Sequence, residues 1–320
     1  MVDNEQLPEL LLGQGLLVGV GEWSLQVDSR PSIPGQLVFK FESSLSSLSE
    51  RDFTRVWFLL KKLVSHISQH VQPSQQMRYA TGTEGGNKIH IYPLVPLNQA
   101  WQPIRAGQTT FSDAYPGYLT TKSSPPIDNA VLSEMQLRIT EVSGWSKTSA
   151  SYAFPDAKDD NLFAKLVRGE IPQWRIWETD QHIAFLTPFG NLPGFTVLIP
   201  RQHLSSNILA LEDGDFIALV QAAHKVSQIL KKALNVERVG MFFEGFEIDY
   251  AHAKLLPVPT KLAHPVDPVA EYHDKYTGFS TTQPGKQRGL DELQILKGVD
   301  GLEEYAASVE NEFTRYENGT

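Results

Sequence analysis

The sequence predicts an α+β fold made of two tandem units with the same order of elements. Three observations predict it. A long amphipathic segment occurs twice, a short β-rich segment lies before and after each copy, and a tail motif follows each set. The chain has 320 residues, and a typical domain takes about 100–200 residues, so two domains fit the length.

The amphipathic segments are SERDFTRVWFLLKKLV (49–64) and EDGDFIALVQAAHKVS (212–227). Both place an Asp-Phe pair near the start, Asp52-Phe53 and Asp215-Phe216. Apolar residues then recur every three or four positions, which is the spacing of one helix face. They are Val56, Leu59, Leu60 and Leu63 in the first segment, and Leu219, Ala222, Ala223 and Val226 in the second. Each segment is therefore predicted to be a helix.

The β-rich segments flank these helices. GQLVFKF (35–41) and GFTVLIP (194–200) precede them, and KIHIYPLVP (88–96) and YAHAKLLPV (250–258) follow. β-branched and aromatic residues dominate such runs, which is typical of strands. In the second half, NLFAKLVRGEIP (161–172) predicts a helix that stops at its Gly-Glu-Ile-Pro end, and RIWETDQHIAFLTP (175–188) predicts two strands around a polar turn.

The tails strengthen the repeat. Phe111–Lys122 and Tyr272–Gln283 share an aromatic, Asp, Tyr, Gly, aromatic, Thr-Thr pattern in register, at an offset of 272 − 111 = 161 residues. Four matches in one order indicate an internal duplication. The alternative is two unrelated α+β domains that share only an element pattern. The polar segment SYAFPDAKDD (151–160) is the predicted linker.

Composition limits the function. The formal net charge is −9, and such a surface repels nucleic acid and anionic lipid. The chain has no cysteine, which excludes disulfides, thiolate catalysis and cysteine-based metal sites. The apolar run Leu10–Val20 is shorter than a membrane span, and the acidic N-terminus lacks the basic region of a signal peptide. We therefore expect a cytoplasmic protein without nucleic-acid or membrane partners.

The segment most suggestive of chemistry is DYAHAKLLPV (249–258). Residues i, i+2 and i+4 of a strand point to one face, so Tyr250, His252 and Lys254 are predicted to project together. A histidine with an unperturbed pKa near neutrality offers a free base. A lysine beside it can act as a point charge on an anion. The competing interpretation is that His252 is a satisfied structural residue.

Residues 161–257 resemble the histidine-triad (HIT) superfamily of nucleotide-binding hydrolases and transferases. The resemblance lies in LFAKLVRGEIP, in GFTVLIPRQH and in AHAKLLP, which is similar to a His-φ-His-φ-His-φ-φ pattern. It implies that the middle histidine, His252, attacks the α-phosphorus of a nucleotide. A nucleotidyl-histidine forms, and water or another acceptor resolves it.

Three positions depart from the family pattern. Tyr250 stands where the family has a histidine that braces the nucleophile, and Lys254 stands in the third histidine position. Phe195 replaces the histidine of a Gly-His-Thr pattern, which removes a polar partner from the pocket. Glu247 lies where relatives place small polar phosphate-binding residues, and an acid there repels a phosphate. The resemblance nevertheless implies catalytic roles for His252, Lys254 and Tyr250.

The resemblance also implies a nucleotide site made by the first helix and neighbouring strands, with no cofactor and no metal. The implied contacts are Leu162, Phe163, Leu166, Thr187, Asn191 and His203. The apolar members clamp the base, Thr187 occupies a ribose position where relatives often have an acid, and His203 contacts phosphate. Phe185 is assigned to the core. The implied partner is a nucleotide or a dinucleoside polyphosphate.

If the repeat is real, residues 1–150 form a degenerate HIT-like unit and residues 151–320 a nucleotide-binding one. Small HIT proteins dimerise through one continuous sheet, and a fused pair can make the same pseudo-dimer within one chain. Further homo-oligomers stay possible. If Pro93 is aligned with Pro257, His90 corresponds to Lys254 and Lys88 corresponds to His252. If the alignment is shifted by two residues, which keeps the same strand face, His90 corresponds to His252 instead. The proline alignment is preferred because it needs no gap.

Two functions follow. In the first, the protein is a nucleotide hydrolase or nucleotidyltransferase that acts on a nucleoside polyphosphate or a nucleotidyl conjugate. In the second, it is a catalytically degenerate HIT-like protein that binds a nucleotide or serves as a scaffold. The two functions are distinguished by whether the protein turns over a nucleotide substrate and whether that turnover requires His252.

Overall fold

The fold is known from a computed structural model. The residues that it describes are 16–20, 22–28, 31–33, 35–71, 77–96, 98–105, 107–116, 118–153, 158–261, 278 and 301–319. They form an α+β structure around one antiparallel sheet, which confirms the predicted fold class. Of the second predicted tail, 272–283, only Gly278 is among the described residues, and residues 154–157 of the predicted linker lie outside them.

The sheet contains ten of the chain's strands. They are β1 (Leu16–Val20), β2 (Trp23–Val27), β3 (Leu37–Phe41), β4 (Met77–Thr83), β5 (Lys88–Pro96), β6 (Trp174–Glu178), β7 (His182–Leu186), β8 (Thr196–Pro200), β9 (Val239–Phe243) and β10 (Ala253–Pro257). The helices are α1 (Glu50–Val71), α2 (Asn129–Ser143), α3 (Leu162–Val167), α4 (Asp213–Leu234) and α5 (Leu302–Glu317).

The strand order is the same in both halves. Across the sheet it runs β1-β2-β3-β5-β4-β9-β10-β8-β7-β6. From its outer edge to the centre, the first half contributes β1, β2, β3, β5 and β4. The second half contributes β6, β7, β8, β10 and β9 in the equivalent order. The halves join where β4 pairs antiparallel with β9, and Gly82 faces Phe242 there. One continuous sheet therefore crosses the chain's internal repeat, as expected for a fused pair.

The strand register decides which residues of the two halves correspond. Val38 of β3 pairs with His90, and Val197 of β8 pairs with Lys254. The glycines that open these aligned segments, Gly35 and Gly194, both have positive φ, 72° and 76°, a conformation that glycine adopts without strain. The observed pairing is the one that the proline alignment predicts, so His90 corresponds to Lys254 and Lys88 to His252.

The two faces of the sheet are covered differently. The long helices α1 and α4 pack on one face and contribute Trp57, Leu60, Leu219 and Val226 to the main core. On the other face lie two smaller apolar clusters, one formed by both halves and one by the second half alone. One contains Phe195, Phe242 and Phe246, and the other contains Phe163, Phe185 and Tyr250. Strand alternation places Lys254 on this second face, because its neighbours Ala253 and Leu255 join the helix-side core.

The two halves exchange their C-terminal helices. Helix α2 precedes the predicted linker, yet it packs on α4 and β6 of the second half. Its side chains also cover the free edge of the sheet, since Gln136 and Ser143 donate to the carbonyls of Arg175 and Ile176, and a covered edge resists further strand pairing. Helix α5 packs in turn on α1 and β1. The boundary near residue 150 stays a prediction, and many contacts cross it.

The first tail crosses onto the second half. Asn191 donates from its side-chain amide to the carbonyls of Thr120 (2.7 Å) and Lys122 (2.9 Å). The Ser124 hydroxyl donates to the carbonyl of Gly190 at 2.6 Å. These bonds fix the Thr-Thr motif against the loop before β8.

Two features of the strand prediction need correction. Strand β10 begins only at Ala253, so the i, i+2, i+4 rule does not extend to Tyr250. The backbone before it turns, because Tyr250 N–H donates to the Ile248 carbonyl and the Tyr250 carbonyl faces the His252 ring. The central strands β4 and β9 were not predicted, and neither were β1, β2, α2 and α5.

A partly buried ion cluster joins α1 to α4 and predicts a pH-dependent stability. Lys61 is 6% exposed and pairs with Asp213, which also accepts from Lys62 at 2.7 Å. Burial alone raises the pKa of Asp213, but hydrogen bonds from Lys61 and Lys62 outweigh it and hold the pKa below its usual 3.8. A depressed folded pKa contributes stability that is present above the unfolded pKa and lost as the pH falls through the folded one.

We therefore expect Asp213→Asn to lower the free energy of unfolding at pH 7 and to lower it less at pH 3. Urea unfolding of both proteins at the two pH values measures this. Asp215→Asn, two residues along the same helix, is the matched control and should show no such difference. An equal loss for Asp213→Asn at both pH values would contradict the assignment.

Candidate functional site

A cavity of about 210 Å³ lies on the face of the sheet away from the long helices. Its wall combines α3, the ends of β7, β8 and β10, and the crossing tail of the first half. Predicted site residues on this wall are His252, Lys254, Leu162, Phe163, Leu166 and Thr187. The largely apolar lining with a few convergent polar groups is typical of a small-molecule site.

His252 lies on the cavity wall with one ring nitrogen already bonded. It is 4% exposed, and its Nδ1 lies 2.7 Å from the Tyr250 carbonyl oxygen. A carbonyl only accepts, so Nδ1 carries the proton and Nε2 holds the lone pair. Burial, with a smaller contribution from the Lys254 charge, lowers the pKa of His252 to about 4. The imidazole is therefore neutral at pH 7 and has the tautomer of a nucleophile.

Lys254 reaches the same cavity but is tightly paired. Its Nζ lies 2.8 Å from Oε2 of Glu244 and 3.6 Å from Oε2 of Glu247. It also lies 3.4 Å from the Thr121 carbonyl oxygen and 4.8 Å from the centroid of the Phe246 ring. The ammonium is thus held in place by two carboxylates.

The apolar part of the cavity is built by α3 and β7. Asn161 caps α3 by accepting from Phe163 N–H, which sets the direction of the helix toward the sheet. The Phe163 ring lies 5.2 Å from the His252 ring at 65° and 6.2 Å from the Phe185 ring at 62°. Leu162 is exposed at the mouth of the cavity. Phe185, assigned to the core by sequence, is both buried and part of the wall.

Three predicted site residues lie outside the wall. Tyr250 is fully buried, donates its hydroxyl to the Pro200 carbonyl at 2.8 Å, and acts on His252 through its own carbonyl. His203 stacks on Tyr250 at 4.5 Å, and its two nitrogens contact Asp159 and the Asp249 carbonyl. Asn191 holds the crossing tail.

The corresponding place in the first half has different chemistry. Lys88 occupies the nucleophile position and is exposed. His90, at the lysine position, lies 3.2 Å from Nε2 of Gln36 and 3.6 Å from Oδ2 of Asp28 through Nδ1. An ammonium in place of the imidazole carries no lone pair at pH 7. At the position that corresponds to His252, the described part of the first half therefore has no nucleophilic imidazole.

Sequence reasoning missed two residues that shape the site. Glu244 is 2% exposed and pairs with Lys254. Thr121, on the cavity wall, donates its hydroxyl to Oε1 of Glu244 at 2.6 Å. Thr121 belongs to the repeated Thr-Thr tail, so the repeat itself contained the signal. Nothing in the sequence connects the tail to a carboxylate 123 positions away.

The described residues contain no helix long and apolar enough to cross a bilayer. In the same residues no cluster of three or more His, Cys, Asp or Glu is placed to hold a metal ion.

The chain is similar in sequence to HIT-like proteins. No family model matches the chain. An uncharacterized HIT-like protein of Saccharolobus solfataricus is 31% identical over 101 residues, which are 30% of this chain and 72% of that protein. An adenosine 5'-monophosphoramidase of Candida albicans is 25% identical over 156 residues, 47% of this chain and 94% of that protein. A solved uridylyltransferase structure aligns over 93% of this chain and 86% of its own, at 12% identity and a TM-score of 0.44.

The identity to the Saccharolobus solfataricus protein spans nearly three quarters of that protein's length. The region that resembles the superfamily by its motifs folds here around the cavity that contains His252. On this evidence the chain belongs to the HIT-like protein family.

Proposed function

We propose that the protein is a nucleotide hydrolase or nucleotidyltransferase that uses His252 as its nucleophile, acting on a nucleoside polyphosphate or a nucleotidyl conjugate. One observation carries the proposal. A neutral imidazole, with Nδ1 bonded to the Tyr250 carbonyl, lies on the wall of an apolar cavity. The adenosine 5'-monophosphoramidase activity named for the Candida albicans relative supports the class of reaction.

The reaction has two steps. The Nε2 lone pair of His252 bonds to the α-phosphorus while the bond to the leaving group breaks. The leaving group keeps that electron pair and takes a proton from solvent. Water or another acceptor then attacks the phosphorus and releases a proton, the P–Nε2 bond breaks, and its electron pair returns to the ring. With water as acceptor the sum is hydrolysis to a nucleoside monophosphate.

The residues around His252 can support both reaction steps. The intermediate places positive charge on the ring, and the Tyr250 carbonyl already accepts from Nδ1–H, so the charge is stabilised without reorganisation. Phe163 and Leu166 form an apolar surface for a base, and Thr187 lies at the wall where a ribose hydroxyl fits. Lys254 supports charge that develops on the phosphoryl oxygens.

A second function is favoured by a specific observation, the pairing of Lys254 with Glu244 and Glu247. An ammonium that is already neutralised stabilises a phosphate weakly. Together with Tyr250 and Phe195 in place of histidines, this favours a catalytically degenerate protein that binds a nucleotide without turning it over. Residues 1–150 would then serve only to complete the fold.

Trapping the intermediate distinguishes the two. We expect an adenylyl group on the peptide that contains His252 after incubation with adenosine 5'-phosphoramidate, rapid quenching in denaturant and mass spectrometry at neutral pH. His252→Asn should lack the adduct and its turnover. Saturable binding without adduct or product would support the degenerate protein, and an adduct on another residue would contradict the nucleophile assignment.

A further inference from the structure

The positive charge of Lys254 is neutralised by a buried carboxylate, that of Glu244. Glu244 lies behind it, with Oε1 accepting the Thr121 hydroxyl at 2.6 Å and Oε2 lying 2.8 Å from Nζ. Both groups of this pair are buried, 2% and 8% exposed. Charges are screened weakly in such surroundings, so Glu244 balances the charge of Lys254.

A second carboxylate, that of Glu247, lies near the same ammonium group. Glu247 lines the cavity, its side chain is 32% exposed, and Oε2 lies 3.6 Å from Nζ of Lys254. Lys254 is the single Lys or Arg among the cavity-lining residues that the structure describes. His252 is neutral, so Glu244, Glu247 and Lys254 together give this end of the cavity a charge of −1. A chain of phosphates placed here meets a carboxylate whose only Lys or Arg neighbour among the described lining residues, Lys254, is already paired with Glu244.

We propose that Glu247 determines the leaving group, selecting nucleotidyl conjugates whose leaving group carries an ammonium or guanidinium and rejecting polyphosphates. The inference rests on the proposed function and narrows its substrate class. A cation near Glu247 restores neutrality in the cavity, whereas an anion adds like charge in a poorly screened place. The bond changes are those given above; the leaving group departs with its electron pair and takes its proton from solvent.

Three esters that differ mainly in the charge of the leaving group test this directly. They are adenosine 5'-monophosphate esters of 4-methylphenol, of 4-(aminomethyl)phenol and of 4-(carboxymethyl)phenol, which offer neutral, cationic and anionic leaving groups of similar shape. The ratio of kcat/KM for the cationic ester to that for the anionic ester is the readout. We expect it to exceed about 10 in the wild-type protein, a tenfold change being 1.4 kcal/mol.

Variants assign the preference to one carboxylate. Glu247→Gln should bring the ratio close to one, and Glu247→Lys should invert it. Glu134→Gln removes the same charge from the exposed face of α2 and should leave the ratio unchanged. Thermal unfolding of each variant verifies that the fold is retained.

The outcomes separate this inference from the proposed function. Turnover of the neutral ester with a ratio near or below one in the wild type overturns the selection by charge and leaves the nucleotidyl chemistry standing. A ratio that survives Glu247→Gln overturns the role of Glu247. Absence of turnover for all three esters overturns the proposed function, and the inference with it.

Discussion

Replacing His252 by alanine is expected to lower kcat by at least about 10³-fold, because loss of a nucleophile removes the covalent route altogether. The rest of the cavity wall should keep its fold, since the hydrogen bond from the ring to the Tyr250 carbonyl and its packing on Phe163 are local contacts. Steady-state kinetics with adenosine 5'-phosphoramidate measure the loss. His70→Ala, at an exposed position on α1, is the control and should keep the wild-type rate.

The pH dependence of kcat in the wild-type protein gives an independent check. Burial lowers the pKa of His252 to about 4, below the ordinary value of 6.5. The imidazole is therefore neutral across pH 5.5–8, and kcat should fall only as the pH approaches 4. An inflection near pH 6.5 that depends on His252 would show an accessible, unshifted histidine and contradict the buried tautomer. Full activity in His252→Ala would place the nucleophile elsewhere.

Replacing Glu178 by alanine is expected to destabilise the protein by about 3–5 kcal/mol, the usual result of leaving a buried charge without its partner. Glu178 pairs with Arg175 and, at 3.2 Å, with Arg201. These two arginines are 1% and 6% exposed, so water cannot replace the lost carboxylate. Glu178 also accepts from Ser151 N–H at 2.8 Å, which anchors the segment that joins the halves.

Urea unfolding monitored by tryptophan fluorescence measures this effect. Asp180→Ala, on the exposed turn two residues away, should change the free energy of unfolding by less than about 0.5 kcal/mol. Typical domains have a total stability of only about 5–15 kcal/mol, so Glu178→Ala should shift the midpoint visibly. A shift no larger than that of Asp180→Ala would mean that the two arginines find other partners.

Local sequence patterns predicted several elements well. The predicted strand 88–96 is β5 with the same bounds, and β8 ends at Pro200 as expected. The long helices start one residue inside the predicted segments, at Glu50 and Asp213, but α1 continues to Val71 and α4 to Leu234. Their apolar faces persist past the predicted ends, for example at Ile67 and Ile229, and continued burial extends a helix beyond its clearest repeat.

The central strands could not be predicted in the same way. β4 (MRYATGT) contains a glycine and no strict alternation, and β9 (VGMFF) is too short to separate strand from helix by period. Their pairing with each other joins the halves, and it depends on residues about 160 positions apart, such as Gly82 and Phe242. No local propensity encodes such a contact.

By itself, the sequence determined the duplication, the α+β class, and the His252–Lys254 pair, because strand and helix periods and a short motif are local properties of the chain. Only the tertiary structure decided that Tyr250 turns away from the cavity, that Thr121 from the other half reaches Glu244, and that Glu244 neutralises Lys254. Those outcomes depend on burial and on distances between residues far apart in the chain, and burial sets how strongly the charges interact.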